Sequence, residues 1–530
     1  MVRSNVGSEA TIRCAIAVVV LLAQGFWSGP ARGETVAKVA LLRTDAAVVG
    51  NAADAWLSVD AVVHFRCEET GDVVHLGLRA DFGVVAVEED GRSFEVLEDG
   101  EKLVVREPCP ADGRDRTWVV RYRWPLGRRL DRADGVIGWF PWYPTILPRS
   151  SSTSPMTVQV DLPTTLRAVA PGNWSEEATP DRRRFVVIRE HPSALHPLLI
   201  GRLAMAVHAT DGVTARAFGP PNYQRALTAI ADWTATARVW FGERLGRQDL
   251  AEYATVVVPL PEGHRGMTVP GLTLLSTVDL TTDGVFDRRI AAHELAHNWW
   301  GLAVDFPSPR DAWLKEGLPT YSAILFIEER MGDEALRREL ANSRRIALVA
   351  ERPGSLLRVL DDGAPGNAYA QGYHQAAYTL HMLRTLLGRE RFLDTLREFY
   401  ERHRGGVAGT EAFRRVFADA GVPSTFWEDW VESAGLPEFE VTWRARSGED
   451  ETWTVEGTVR QTGNVVRMPV GLRIVTSDGH QETTVELRGR ETRFVVACRS
   501  QPEALEFDPR GDLLHAGVDI LFRGGSVTPR

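Results

Sequence analysis

The chain has little that would tie it to a nucleic acid or hold it in a bilayer. Its 530 residues carry a formal net charge of -10, and no strongly basic stripe runs through it, which argues against a nucleic-acid partner. Beyond the N-terminus no apolar run reaches the roughly 20 residues that a spanning helix needs. Cysteine is scarce, four in all, and no spacing among them makes a metal site. Histidine is also scarce, at 13, so a His cluster carries information. There is no internal repeat and no low-complexity tract. A hydrophobic content of 44% and a charged content of 25% belong to a globular chain, long enough for three or four domains.

The N-terminus is the exception. Arg3 and Arg13 precede an apolar run from Cys14 to Trp27, and Ala31-Arg32-Gly33 sets small residues where a signal peptidase reads. Residues 1–33 read as a secretory signal cleaved after Gly33, so the mature chain is expected outside the cytoplasm, periplasmic or extracellular. An uncleaved N-terminal anchor is the alternative, weakened by Gln24 and Gly25. Export permits disulfides. Cys14 leaves with the signal, Cys67 and Cys109 share one β-rich region, and Cys498 is left over. A Cys67–Cys109 bridge and three free thiols both remain open.

The remainder divides in three. Residues 34–207 are β-rich: 55–59, 73–76, 118–122, 158–162 and 185–188 are short, β-branched or aromatic, and bounded by turn residues. Arg149 to Ser154 reads as an exposed loop. Residues 208–436 are mainly helical, with an amphipathic run from Tyr223 to Leu245, a strand from Tyr253 to Leu260, and a late helical run from Tyr369 to Leu387. Residues 437–530 return to period-2 alternation, with Asp478-Gly479 as a hairpin signal. This last part reads as a small antiparallel sandwich.

The chemistry concentrates in His293-Glu294-Leu295-Ala296-His297 and in Glu316, 18 residues after His297. Residues four apart on a helix lie on one face, so His293 and His297 can aim at one metal ion. Glu294 sits about 100° round the helix, placed to reach a water rather than the metal. Glu316 can supply a third ligand from a second helix. Two His and one Glu leave a fourth tetrahedral position open, the pattern of zinc hydrolases. Ile290, Ala291, Ala292, Leu295, Ala296, Trp299 and Trp300 make the first helix apolar nearly all round, so it should be buried. Two His and a Glu in such a place need a partner.

Three segments, His293 to Gly301, Trp313 to Tyr321 and Tyr373 to Leu383, resemble the M1 (gluzincin) metallopeptidases, the aminopeptidase N and leukotriene A4 hydrolase group. The resemblance covers essentially the whole mature chain. It implies a multidomain α+β fold: an N-terminal β-saddle, a thermolysin-like catalytic domain and a C-terminal β-sandwich. It implies one zinc ion per chain held by His293, His297 and Glu316, with Glu294 as general base. Tyr373 matches the tyrosine that polarises the scissile carbonyl, although the family's Tyr-Glu-Lys-Gly is here Tyr373-His374-Gln375-Ala376. Tyr369 and Tyr378 are nearby rivals with poorer offsets. Thr320, one turn beyond Glu316, is either a hydrogen-bond support for a ligand or a plain helix threonine.

One departure bears on specificity. The family's substrate strand carries Gly-x-Met-Glu-Asn, and the matching residues here are Gly266, Met267 and Thr268, followed by Val269. The Glu that grips a free α-amine has become Thr268, so an ion pair worth about 1.5–3 kcal/mol is missing. The expected activity is zinc-dependent peptide hydrolysis, in the first instance by an exported aminopeptidase. A peptidase indifferent to the free N-terminus and a non-catalytic exported peptide-binding protein are the alternatives.

Overall fold

The computed structural model describes residues 35–524, except 51–55, 79–81, 100–101, 126–135, 138–141, 148–153, 194–195, 249, 251, 262, 350–353, 361–367 and 449–451. The expected signal at 1–33 lies outside the described residues, as does all but Ser154 of the expected loop. No described helix is long and apolar enough to cross a membrane. The chain forms two compact units, one from residues 35–239 and 248–291, the other from 240–247 and 292–524.

The first unit opens with an eight-stranded sheet. Its centre is Lys38–Val49, antiparallel to Trp56–Glu69 and parallel to Ser154–Pro163. Strand alternation decides which side is wet. Along Trp56–Glu69 every second residue, Leu57, Val59, Ala61, Val63, Phe65 and Cys67, is buried. They join one core with Trp118, Tyr122 and Trp142, where the Tyr122 hydroxyl donates to the Trp142 carbonyl. Cys67 and Cys109 are disulfide-bonded, with Cα atoms 5.9 Å apart.

The same unit holds a five-stranded sheet, ordered Ala204–Thr210, Val213–Gly219, Glu252–Val258, Leu272–Ser276, Gly266–Val269. Glu252–Val258 is parallel to both of its neighbours and buried from Tyr253 to Val258, which explains its unbroken apolar run. Gly266–Val269 is the edge strand, antiparallel to Leu272–Ser276. Helix α1 (Gln224–Leu245) follows the second strand, and helix α2 (Arg288–Ala296) follows the sheet.

In the second unit, α3 (Ala312–Met331) is buried along most of its length and leads directly into α4 (Asp333–Ala347). A π-helical turn, Ala370–Gln375, then opens α5 (Ala376–Leu387). Sequence periodicity gave a helix here without the π turn, which inserts one residue into the α repeat. Gly317, next to Glu316, lets α3 and α5 meet closely: a Cβ there would stand 2.6 Å from the Cβ of Ala376.

The C-terminal part packs a four-stranded sheet on a three-stranded one, with Phe439 against Phe507 at 4.8 Å. The hairpin at Asp478-Gly479 closes on Thr476 paired with Gly479. The sandwich departs from the expected purely antiparallel form, because Gly517–Phe522 runs parallel to Glu438–Ser447. That strand arrives from Pro502–Phe507 in the other sheet, through a connection too long to be a hairpin. The connection is anchored to the helices: Tyr378 donates to the Gly511 carbonyl, and His381 Nε2 lies 3.1 Å from Asp512 Oδ1.

Candidate metal centre

His293 and Glu294 lie on α2, and His297 falls on the turn just beyond it. The α-helical bond nevertheless continues, His297 N–H donating to the His293 carbonyl at 3.2 Å, so the four-residue spacing keeps both rings on one face. Glu316 comes from the first turns of α3. The ligand atoms of His293, His297 and Glu316 all lie within 4.8 Å of one another, the single such group among the described residues.

The hydrogen bonds around these rings fix where their protons are. Thr320 donates its hydroxyl hydrogen to the Glu316 carbonyl at 2.7 Å. Its oxygen is then an acceptor for His293 Nδ1, 3.1 Å away. His297 Nδ1 faces the Trp300 carbonyl at 3.1 Å, which can only accept. In the neutral rings both protons therefore sit on Nδ1, and both Nε2 atoms, 3.1 Å apart, then present lone pairs. Glu316 Oε2 stands 3.6 and 3.5 Å from them, buried and without a hydrogen-bond donor. Three electron-rich atoms facing one another in a desolvated pocket need a cation, and two imidazoles with a carboxylate form a zinc donor set.

Burial and charge oppose each other at each of the three groups. Burial lowers the His293 pKa despite Glu316. At His297 burial is outweighed by the Glu316 charge, which raises it. Burial works to raise Glu316, yet His297 and His293 drive it well below the usual carboxylate range, so it is anionic at any working pH.

Gly301 closes the turn that carries the Trp300 carbonyl. Its φ is +101°, where residues with a Cβ are disfavoured. Trp300 itself is tied down by its indole N–H on Ser322 Oγ at 3.1 Å, and Trp299 by its own on the Gly246 carbonyl at 2.8 Å.

The structure separates the three tyrosines. Tyr373 lies on the π turn with its ring stacked on His293, centroids 5.6 Å apart and 21° between planes. Burial first, then the Glu316 and Glu294 charges, push its phenol well above the ordinary value, so it keeps its proton and can donate. Tyr378 is committed to the Gly511 carbonyl. Tyr369 packs beside Tyr373 but bonds to His374. Glu294 is buried, its charge acts on both His rings and on Tyr373, and it stands outside the ligand group.

Gly266, Met267 and Thr268 lie in the first unit, on the edge strand, with Thr268 Oγ1 3.2 Å from Thr273 Oγ1. Sequence reasoning missed two supports of the centre. The Trp300 carbonyl is a backbone group with no side-chain signature. Tyr321, five residues after Glu316, bonds to His381 at 3.0 Å, and His381 to Asp512; nothing in the sequence linked these three.

Comparisons with known proteins agree with this geometry. Residues 250–430 match the model of the peptidase family M1 domain. The chain is 24% identical over 214 residues to the tricorn protease-interacting factor F2 of Thermoplasma volcanium, covering 37% of this chain and 26% of that protein. It is 26% identical over 244 residues to aminopeptidase N of Caulobacter vibrioides, covering 42% of this chain and 28% of that protein. The matches thus span about a quarter of these curated relatives' length. A solved M1 zinc metallopeptidase mutant from Deinococcus radiodurans shares the fold, with a TM-score of 0.55 at 19% identity over 75% of this chain and 95% of that one.

Proposed function

Because this chain carries a peptidase family M1 domain, we propose that it hydrolyses peptide bonds with one zinc ion held by His293, His297 and Glu316. The observation that carries this reading is the convergence of three lone-pair donors, each of the two His rings having its Nδ1 proton turned away to an oxygen acceptor. When bound, zinc supplies a Lewis acid and a water acidic enough to act near neutral pH.

The chain's own residues do the rest. Glu294 takes a proton from the attacking water onto its carboxylate and later delivers it to the leaving amine. Tyr373 donates its phenolic hydrogen to the oxygen of the scissile carbonyl as negative charge develops there. Thr320 and the Trp300 carbonyl keep the His rings in the tautomer that presents Nε2. Gly266–Val269, the edge strand of its sheet, has the form that takes up an extended peptide by strand addition.

Glu294→Gln tests the core of this reading: the variant should keep its zinc and lose hydrolysis. Peptide cleavage by it at the unaltered rate would remove Glu294 from the role of base.

We propose aminopeptidase action as the first form of this activity, on the likeness to aminopeptidases. Thr268 favours a second form, a peptidase that ignores the free N-terminus, since the residue matching the amine-gripping Glu is uncharged; the first form needs another carboxylate in its place. Matched free and N-acetylated peptides separate the two: a strong preference for free ends supports the first, equal rates the second. Export of the mature chain is part of the proposal, and N-terminal sequencing of the protein recovered outside the cytoplasm tests it, with Glu34 expected first.

A further inference from the structure

Resting on the hydrolase reading, we propose that Tyr369, His374 and Ser343 form a brace that sets the Tyr373 ring over the metal centre, and are positioning residues for the reaction. The observation is a chain of contacts running away from the site. Tyr373 is held between two rings, His293 at 5.6 Å and Tyr369 at 5.1 Å. The outer ring, Tyr369, is 40% exposed, and exposed rings are ordinarily free to change rotamer. This one is tethered. Its hydroxyl lies 3.2 Å from His374 Nε2, and His374 Nδ1 lies 3.2 Å from Ser343 Oγ on α4.

His374 is fully buried, and a buried imidazole is costly unless its nitrogens are bonded. A neutral ring needs one acceptor and one donor, and the two hydroxyls can supply both. The π turn makes the tether possible. Its i→i+5 repeat brings residues 369 and 374 onto one face, while Tyr373, one residue earlier, turns toward His293. An uninterrupted α-helix, with 3.6 residues per turn, would not set 369 and 374 one above the other. The brace therefore joins α4, the π turn and the proposed carbonyl-polarising tyrosine into one unit.

The test uses the full zinc-loaded chain. Tyr369→Phe removes one hydroxyl from an exposed ring, and Ser343→Ala breaks the far link. Each should lower kcat about tenfold, the effect of a small misplacement of a reacting group, with KM unchanged. In a Tyr373→Phe background Tyr369→Phe should have no further effect, because it acts only through Tyr373. An undiminished loss in that background, or no loss from either variant, overturns the proposal. A crystal structure of Tyr369→Phe gives a readout independent of turnover: the Tyr373 ring should leave its place over His293, and an unmoved ring overturns the proposal. If the unaltered zinc-bound protein cleaves no peptide, the hydrolase reading fails, and the crystal structure still decides the brace.

Discussion

Thr320→Val tests the proton assignment at the centre. Thr320 and His293 are both buried, and valine has threonine's shape with a methyl in place of the hydroxyl. The substitution removes the oxygen that accepts from His293 Nδ1 at 3.1 Å. A buried N–H left without a partner costs about 1–3 kcal/mol, and that cost falls on the Nδ1–H tautomer, the one that presents Nε2 to a metal. At about 1.4 kcal/mol per tenfold, zinc affinity should drop by about 10- to 100-fold, the range expected when a ligand's outer partner is lost. Competition against a chromogenic chelator measures this. Thr320→Ser keeps the hydroxyl and should stay within about threefold of the unaltered protein, since its acceptor is retained. The metal-free melting temperature serves as the folding control. If the valine variant binds zinc as tightly as the unaltered protein, the Nδ1 assignment is wrong.

Three further outcomes follow from the packing and the charges. Gly317→Ala should lower stability by about 1–2 kcal/mol, because overpacking against Ala376 outweighs a helix-propensity gain of about 1 kcal/mol. Gly242→Ala, at a helical position where a Cβ meets nothing within 4 Å, should gain about 0.5–1 kcal/mol; denaturant midpoints with opposite signs check the pair. Cys109→Ser opens a link between residues 42 apart and should cost about 4 kcal/mol on the loop-entropy model, read as a fall in melting temperature; reductant should then have no further effect on the variant. The His515 pKa is pushed down to about 4 by burial and by Arg344, whose Nη2 lies 3.1 Å from Nδ1. A depressed imidazole contributes stability that is full above its unfolded value near 6.5 and lost as pH falls through about 4, about 3 kcal/mol in all. Asp508, pushed up to about 7 by burial, acts in the opposite sense, so unaltered protein and His515→Gln are compared at each pH. The stability difference between them should shrink from pH 7 to pH 4, and a constant difference refutes the assignment.

Much of the fold was legible in local pattern. The five β segments of the N-terminal part each overlap a strand of the structure; four of them alternate buried and wetter residues, as a strand with one buried face does, while 73–76 is buried throughout. The central run at 253–258 was legible for the complementary reason, burial on both faces. What could not be read were features that depend on distant partners. The parallel return of Gly517–Phe522 onto Glu438–Ser447 follows from where the preceding loop docks, and period 2 is the same in either direction. The π turn at Ala370–Gln375 is a shift of one residue that hydrophobic periodicity does not resolve.

The sequence alone determined the ligand types and their order, since His293, His297 and Glu316 are fixed by helical spacing and by the chemistry of imidazole and carboxylate. Tertiary structure decided the rest of the centre. It chose Tyr373 over Tyr369 and Tyr378 by stacking only that ring on His293. It set the tautomers through Thr320 and the Trp300 carbonyl, and it joined Tyr321 to Asp512 across nearly two hundred residues through His381. Spacing along one helix is a local property that a sequence carries outright. A hydrogen bond between elements exists only once packing has brought its two ends within about 3 Å of each other.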